Sequence, residues 1–80
     1  MPFTVYILQD SRGRFYKGVT ANLSLRVKGH KGGNTRSTRN MTGLNVAYKE
    51  EYATFAEARR RELYLKSAAG RRFLKKKLGP

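Results

Sequence analysis

Apolar residues in the first quarter of the chain predict a β-hairpin. Residues 3–8, FTVYIL, are rich in the aromatic and β-branched types that favour strands. Residues 9–13 have the composition of a turn, and residues 14–19, RFYKGV, predict the returning strand. Side chains of a strand alternate between two faces, so Tyr6 and Tyr16 share one face whether they pair directly or the register shifts by two residues.

The opposite face of this hairpin is the more apolar one. It carries four apolar side chains and one charged exception, Lys17; the apolar residues are Val5, Ile7, Phe15 and Val19. We therefore expect this face to pack against the core of the protein.

Apolar residues after the hairpin recur at the spacing of a helix. Asn22 can cap a helix that runs to about Lys31, and a rotation of about 100° per residue brings three side chains to one side: Leu23, Val27 and His30. Arg26 lies at the margin of that side, one turn before His30. Residues 32–43 are rich in Gly, Ser, Thr and Asn, which predicts a loop long enough to take part in binding.

The second half of the chain predicts one strand and two helices. Residues 44–52 form the third strand. Thr54 and Glu57 have the spacing of a capping box, which begins a helix that ends near Lys66. Ser67 can cap a last, short helix. The order β-β-α-β-α-α predicts an α+β fold, in which a small three-stranded antiparallel sheet is flanked by helices.

Length and charge restrict the class of protein. Eighty residues make one domain, residues 1–80, with no room for a second core. Eighteen Lys and Arg against five Asp and Glu give a formal net charge of +13, which favours a polyanionic partner. The absence of cysteine excludes disulfides, thiolate zinc sites and cysteine nucleophiles. The longest apolar run is too short to cross a bilayer, so no membrane partner is expected.

Glu62 is the most informative acidic residue. On its predicted helix it projects between Phe55 on one side and Ala58 and Leu65 on the other, within the apolar stripe. A carboxylate in that position loses hydration and requires a cation or hydrogen bonds in compensation. An ion pair with Lys66 meets this requirement, and so does a divalent metal ion. One carboxylate is too few for a two-metal centre, so a metal mechanism would use a single ion.

The two tyrosines have both a structural and a chemical interpretation. Tyrosines on one sheet face commonly serve packing, and a phenol with an ordinary pKa of about 10 is a base at neutral pH only beside cations or a metal-bound water. Arg26, Lys17 and a metal at Glu62 are candidates for that positive field. The guanidinium of Arg26 is also suited to bind a phosphate, although a solvated helix residue is the simpler interpretation.

The order of these residues resembles the GIY-YIG nuclease family. Thr4-Val5-Tyr6 and, ten residues after Tyr6, Tyr16-Lys17-Gly18 are similar to its two name motifs on adjacent strands. Arg26 and His30 are similar to the next pair of family residues, and Glu62 to the metal-binding Glu of a later helix. The resemblance covers almost the whole chain. It is closest to the small stand-alone bacterial branch, which is related to the nuclease domains of UvrC and of structure-specific endonucleases.

The motifs also depart from the family pattern. Thr4-Val5 replaces Gly-Ile, and Lys17 replaces the middle Ile of the second motif. Many members carry an asparagine after the metal-binding Glu, whereas no asparagine follows Asn45 here. Val19 stands where UvrC-like members often have a lysine.

The resemblance implies metal-assisted hydrolysis of a DNA phosphodiester. Glu62 would bind one Mg²⁺ or Mn²⁺ ion. Tyr6 or Tyr16, with Tyr6 preferred, would take the proton of the attacking water. Arg26 would neutralise the charge that develops on the phosphate, and His30 would form a hydrogen bond to a tyrosine or to the phosphate.

The other cations predict phosphate contacts that carry no sequence information. The candidate nucleic-acid-binding residues are Lys17, Arg36, Arg39, Arg59, Arg60 and Lys66. We expect a cytoplasmic endonuclease of DNA repair or recombination that selects branched, nicked or otherwise structured DNA, and a protein partner for targeting is compatible with this role. The alternative is a nuclease-like module that binds nucleic acid, cleaves weakly or not at all, and depends on a partner.

Overall fold

A computed structural model of the protein describes residues 2–33, 38 and 40–79. Six elements follow one another in the predicted order: β1 (Phe3–Gln9), β2 (Phe15–Thr20), α1 (Leu23–Lys31), β3 (Asn45–Tyr52), α2 (Phe55–Lys66) and α3 (Ala68–Leu78). The strands form one antiparallel sheet in the order β2-β1-β3. The predicted α+β class and three-stranded antiparallel sheet are confirmed. Within the described residues, no helix combines the length and the apolar character needed to span a membrane.

The hairpin adopts the register that is shifted by two residues. Tyr6 pairs with Gly18, and Leu8 pairs with Tyr16, so both tyrosines lie on one face. A Cβ atom at Gly18 would lie 2.6 Å from the hydroxyl oxygen of Tyr6. Glycine at this position therefore allows the Tyr6 side chain to extend across β2.

Both faces of the central strand β1 are buried, so the expectation of a single core face is incomplete. On one face, Val5 and Ile7 pack with residues from α2 and α3: Ala58, Leu65 and Leu74. On the other face, Tyr6 and Leu8 form a second cluster with Leu44, covered by α1 and by part of the loop before β3 through Leu23, Val27 and Met41. The sheet is therefore flanked by α1 on its tyrosine face and by α2 and α3 on the opposite face.

The predicted capping residues begin all three helices. The side chains of Asn22, Thr54 and Ser67 accept hydrogen bonds from backbone N–H groups three residues further on, at 3.1–3.2 Å. Gly70, in the first turn of α3, has no room for a Cβ atom, which would lie 2.0 Å from the carbonyl oxygen of Tyr64. This close contact sets α3 directly against the end of α2.

Candidate active site

A small cleft opens at the edge of the sheet formed by β2. It has a volume of about 210 Å³, and four elements line it with Tyr6 from β1, Tyr16, Gly18 and Val19 from β2, Arg26 from α1, and Phe55, Arg59 and Glu62 from α2. Four of the five predicted catalytic residues thus meet in one cleft. The fifth, His30, lies behind Tyr6 and contacts it.

Hydrogen bonds connect Tyr6 to residues on both sides of its hydroxyl group. Nε2 of His30 lies 2.9 Å from the Tyr6 oxygen, and Nε of Arg26 donates to the same oxygen at 3.4 Å. Nδ1 of His30 lies 2.7 Å from the hydroxyl oxygen of Thr38. Because Arg26 donates to Tyr6, the phenol proton can point to Nε2 of a neutral His30, whose own proton then lies on Nδ1 toward Thr38.

Burial and charge set the protonation states of this network. Burial raises the pKa of Tyr6 above 10.0, and the lowering effect of the Arg26 hydrogen bond does not reverse this change. Burial, together with the positive charge of Arg26, lowers the pKa of His30 below 6.5. At neutral pH, Tyr6 is therefore a protonated phenol and His30 is a neutral imidazole. Because the Tyr6 phenol already carries its proton, it can accept another proton only if it passes its own to His30 at the same time.

Tyr16 is the more accessible of the two tyrosines. Tyr6 is 1% exposed, whereas Tyr16 is partly buried on the edge strand. The ring centroid of Tyr16 lies 4.7 Å from that of His30 and 6.3 Å from that of Tyr6. Tyr6 and Tyr16 line the cleft, His30 packs behind them, and the Tyr16 side chain lies beside the phenol of Tyr6.

Glu62 lies within the apolar stripe of α2, as predicted. It is 6% exposed, and the neighbouring stripe residues Ala58 and Leu65 are fully buried. Arg59 donates a short hydrogen bond to Oε1, and Nζ of Lys66 lies 3.3 Å from Oε2. The ion pair with Lys66, one of the two partners predicted for this carboxylate, is therefore present, and a second ion pair accompanies it.

The donor set of the cleft fits a divalent ion held by one carboxylate. Among the described residues, no group of three or more His, Cys, Asp or Glu could form a metal cage. Mg²⁺ accepts one carboxylate and keeps several waters, so Glu62 with water and a substrate phosphate is a sufficient set of ligands. A metal would have to displace Arg59 or Lys66 from one oxygen, and about half of each of those side chains is exposed (48% and 47%).

The predicted nucleic-acid-binding residues of α2 lie on different surfaces. Arg59 lines the cleft, and Lys66 borders it through its ion pair with Glu62. Arg60 is exposed in a separate shallow depression that also contains Tyr52 and Tyr64. Of these three cations, only Arg59 lines the cleft with the tyrosines, and Lys66 reaches it through Glu62.

The other predicted contacts lie away from the cleft. Lys17 is on the opposite face of the sheet, as its strand position requires, and lines a different pocket. Arg26 is thus the cation beside Tyr6, whereas Lys17 is not placed to supply that field. Arg36 and Arg39 lie outside the described residues.

Two residues of the site were not recognised from the sequence. Phe55 lines the cleft and is 54% exposed, with its ring edge-on to that of Phe3 at 5.7 Å between centroids. The helical pattern assigned Phe55 to the apolar stripe of α2, so its exposure became evident only from the packing. Thr38, the buried partner of His30, has no sequence signal that distinguishes it from the other hydroxyl residues of its loop.

The sequence profile of the GIY-YIG catalytic domain matches residues 2–77. The chain belongs to the GIY-YIG family. It is 35% identical over 71 residues to the UPF0213 protein in the VLF1-GP41 intergenic region of Autographa californica nuclear polyhedrosis virus, a match that covers 86% of this chain and 68% of the relative. It is 33% identical over 63 residues to a UPF0213 protein of Halobacterium salinarum, covering 78% of this chain and 82% of the relative.

A solved structure agrees with this grouping. The fold of this GIY-YIG protein is similar to the solution NMR structure of a UPF0213 protein from Bacillus halodurans, with a TM-score of 0.60 and 28% sequence identity. The similarity covers all of this chain and 89% of the other. These findings confirm the resemblance to the small stand-alone GIY-YIG proteins, and the family assignment supports a nuclease.

Proposed function

We propose that this GIY-YIG protein is a divalent-metal-dependent DNA endonuclease that selects branched or nicked DNA in repair or recombination. The observation that carries the proposal is the convergence of Tyr6, Tyr16, Arg26 and Glu62 in one cleft, with His30 hydrogen-bonded behind them. The net charge of +13 supports a polyanionic substrate. Contacts from exposed Lys and Arg bind phosphates of any sequence, which supports selection by DNA shape.

In this mechanism Arg26 binds the scissile phosphate. Hydrogen bonds to Tyr6 and Tyr16 raise the pKa of Arg26, with the bond to Tyr6 contributing most, so the group is a permanent cation held in place by two phenols. A guanidinium has five N–H donors, more than two phenol oxygens require. The remaining donors can bind phosphate oxygens and stabilise the negative charge that develops as the water attacks.

Tyr6 and His30 together take the proton of the attacking water. As the water oxygen bonds to phosphorus, the bond from phosphorus to the leaving 3′-oxygen breaks, and that oxygen takes a proton from solvent. The proton of the attacking water passes to the Tyr6 oxygen, and the phenol proton passes to Nε2 of His30. The neutral state of His30 provides the acceptor, and Thr38 holds the Nδ1 side of the resulting imidazolium. Tyr6 remains a neutral phenol, in agreement with its raised pKa. Tyr16, which is more exposed, orients the water.

Glu62 would hold the metal ion. A Mg²⁺ or Mn²⁺ ion held by Glu62 would supply Lewis-acid polarisation of a phosphate oxygen. Arg59 and Lys66 flank the carboxylate and would contact the neighbouring phosphates of the same strand.

A nuclease-like nucleic-acid-binding module is the second candidate. The observation that favours it is the ion pairing of both Glu62 oxygens with Arg59 and Lys66, which compensates the carboxylate without a metal. In such a module Arg26 and its neighbours bind phosphates, while cleavage is weak or requires a partner protein.

Cleavage assays on DNA of matched sequence decide between the two candidates. Linear, nicked, flap and four-way substrates are incubated with Mg²⁺ or Mn²⁺, and binding is measured separately in EDTA. For a nuclease we expect metal-dependent nicking that favours one structured substrate. Glu62→Gln should abolish this nicking and retain binding, whereas Glu57→Gln, which changes an exposed acid of the same helix, should cut like the wild type.

Two results would contradict the proposal in different ways. If the wild-type protein cuts none of these substrates with either metal, the binding module is the correct function. If it cuts one sequence equally well in every DNA structure, the protein is a nuclease, but the proposed selection of branched or nicked DNA is wrong.

A further inference from the structure

A second cationic pocket lies on the opposite face of the sheet from the tyrosine cleft. We name it the α3 pocket; its volume is about 460 Å³, and it lies between the β1–β2 turn, β2 and α3. Phe15 and Leu74 provide apolar lining, and four cations surround them: Arg12, Lys17, Arg71 and Lys75. None of its lining residues is acidic. An apolar base with a cationic rim is suited to an anion that also has an apolar part.

Neighbouring cations repel Lys17, and the α3 pocket has no acidic side chain to compensate its charge. Burial, followed by the charges of Arg71 and Lys66, lowers the pKa of Lys17. The ion pairs among the described residues involve Asp10, Glu50 and Glu62, and none of them includes Lys17, Arg71 or Lys75. A bound anion would relieve this repulsion, since each cation would gain an opposite charge in a partly dehydrated site.

Lys66 connects the α3 pocket to the cleft. It pairs with Glu62 in the cleft, and its charge also acts on Lys17 in the pocket. Both sites use the edge strand β2, through Gly18 in the cleft and the adjacent Lys17 in the pocket. Successive side chains of a strand point to opposite faces, so the two sites lie on either side of this edge of the sheet. A DNA strand that occupies the cleft would reach the pocket by passing around β2.

We infer that the α3 pocket binds a backbone phosphate of the DNA substrate, where the bound strand continues around β2 from the scissile phosphate. Lys17 and Arg71 would supply the charge-assisted hydrogen bonds, and Phe15 would contact the adjoining sugar. This inference rests on the proposed function, because it assigns where the bound strand continues beyond the cleft. It gives Lys17 a binding role on the sheet face away from the tyrosines.

Removing the charge of the α3 pocket tests this inference. The variant Lys17→Gln/Arg71→Gln is compared with Lys28→Gln/Lys49→Gln, which removes the same charge from exposed residues of α1 and β3. Binding to nicked and branched DNA is measured in EDTA by fluorescence anisotropy over a series of salt concentrations, after circular dichroism has verified folding. We expect the pocket variant to bind about 10-fold more weakly and its salt slope to fall by about 1, compared with a change of about twofold in the control.

A neutral phosphate locates the contact on the DNA. Single methylphosphonates are placed at successive positions from the nick or branch point. One at the pocket position should weaken wild-type binding by about 10-fold and leave the pocket variant unaffected. Equal binding by the pocket and control variants, or a methylphosphonate profile that is the same for both proteins, would overturn the inference.

These binding measurements do not depend on catalysis. If the wild type binds through the α3 pocket but never cuts, the nuclease proposal fails and the phosphate site stands. If the wild type cuts and the pocket variant binds like the control, the phosphate site fails and the nuclease proposal stands. If both hold, cleavage of limiting DNA should slow for the pocket variant in proportion to its weaker binding, whereas the control variant should cleave like the wild type.

Discussion

Two glutamates, each near an arginine and two tyrosines, are held in different ways. Glu50 on β3 accepts hydrogen bonds from the hydroxyl groups of Tyr48 and Tyr52 at 2.5 and 2.6 Å. Arg61 donates to both of its oxygens, at 2.9 and 3.2 Å. This network joins β3 to α2, and every one of these side chains is directed to the same carboxylate. It is a closed network that stabilises the fold.

Glu62 is held by partners that can be exchanged. Its two cations, Arg59 and Lys66, belong to its own helix and are about half exposed. The hydroxyl of Tyr6, a tyrosine of the same cleft, is bonded to His30 and Arg26. Burial of an acid is therefore a poor indicator of function. A better indicator is which residues pair with the acid. Exposed cations of the same helix can be replaced by a ligand at little cost, so such pairing is compatible with a binding site.

The largest expected effect is on the cleavage rate, and it distinguishes Arg26 of the cleft from Arg61 of the Glu50 network. Arg26→Gln should reduce the rate of DNA cleavage by about 10²- to 10³-fold, because it removes a fixed charge from the phosphate site. Arg61→Gln should leave the rate unchanged below its melting temperature. Single-turnover cleavage at saturating DNA measures both rates. Equal losses in the two variants would show that Arg26 acts through the fold and not on the phosphate.

The next effect tests the close approach of Tyr6 to β2. Gly18→Ala places a methyl group 2.6 Å from the Tyr6 hydroxyl, so Tyr6 must move away from Arg26 and His30. We expect a loss of about 1–3 kcal/mol in the free energy of unfolding and a decrease in cleavage of up to about 100-fold. The control is Gly29→Ala, where the added methyl has no neighbour within 4 Å, and helix α1 should gain about 0.5–1 kcal/mol. Wild-type cleavage by Gly18→Ala would contradict this role.

A smaller effect is expected on the free energy of unfolding, which should depend more on the Glu50 network than on Glu62. Glu50→Gln and Arg61→Gln should each lower the free energy of unfolding by about 1–3 kcal/mol, because the remaining groups lose a charged partner in a partly buried site. Glu62→Gln should change it by less than about 1 kcal/mol, since its ion pairs are with exposed side chains. Urea unfolding of the three variants measures these values. A larger loss for Glu62→Gln than for Glu50→Gln would reverse the comparison.

The smallest effect is a difference in acid sensitivity. The pKa of His30 lies below 6.5, so the unfolded chain binds a proton before the folded one, and stability decreases as the pH falls through 6.5. Although burial raises the pKa of Glu50, the hydrogen bonds from Arg61, Tyr48 and Tyr52 lower it further, to below 4.5. Its contribution is present above that pH and is lost in more acidic solution.

Urea unfolding over a pH series separates these two losses. His30→Gln should remove the loss that begins just below pH 6.5, and Glu50→Gln should remove the one that begins just below pH 4.5. Metal-dependent cleavage should fall at a lower pH than the start of the His30 stability loss, as the pH passes through the lowered pKa of the folded His30, because a protonated His30 cannot accept the Tyr6 proton. A cleavage rate that stays constant below the His30 step would contradict the proton transfer.

The local elements of this fold were largely predictable from the sequence. Asn22, Thr54 and Ser67 begin their helices as expected, because a capping hydrogen bond involves residues only three apart. The shared face of Tyr6 and Tyr16 followed from strand alternation, and the burial of Glu62 followed from helical periodicity. The family resemblance indicated which of these residues act together, and the structure brings all of them except His30 into one cleft.

The sequence by itself therefore determined the elements, the faces on which the catalytic candidates lie and the excess of positive charge. Tertiary structure alone decided that α1 covers the tyrosine face, that Thr38 binds His30, that Phe55 is exposed and that Lys17 joins Arg71 in a second pocket. The physical reason is the sequence separation of the residues that interact. Capping and periodicity depend on residues within a few positions of each other, whereas these contacts join distant segments whose separation is set by packing of the whole domain.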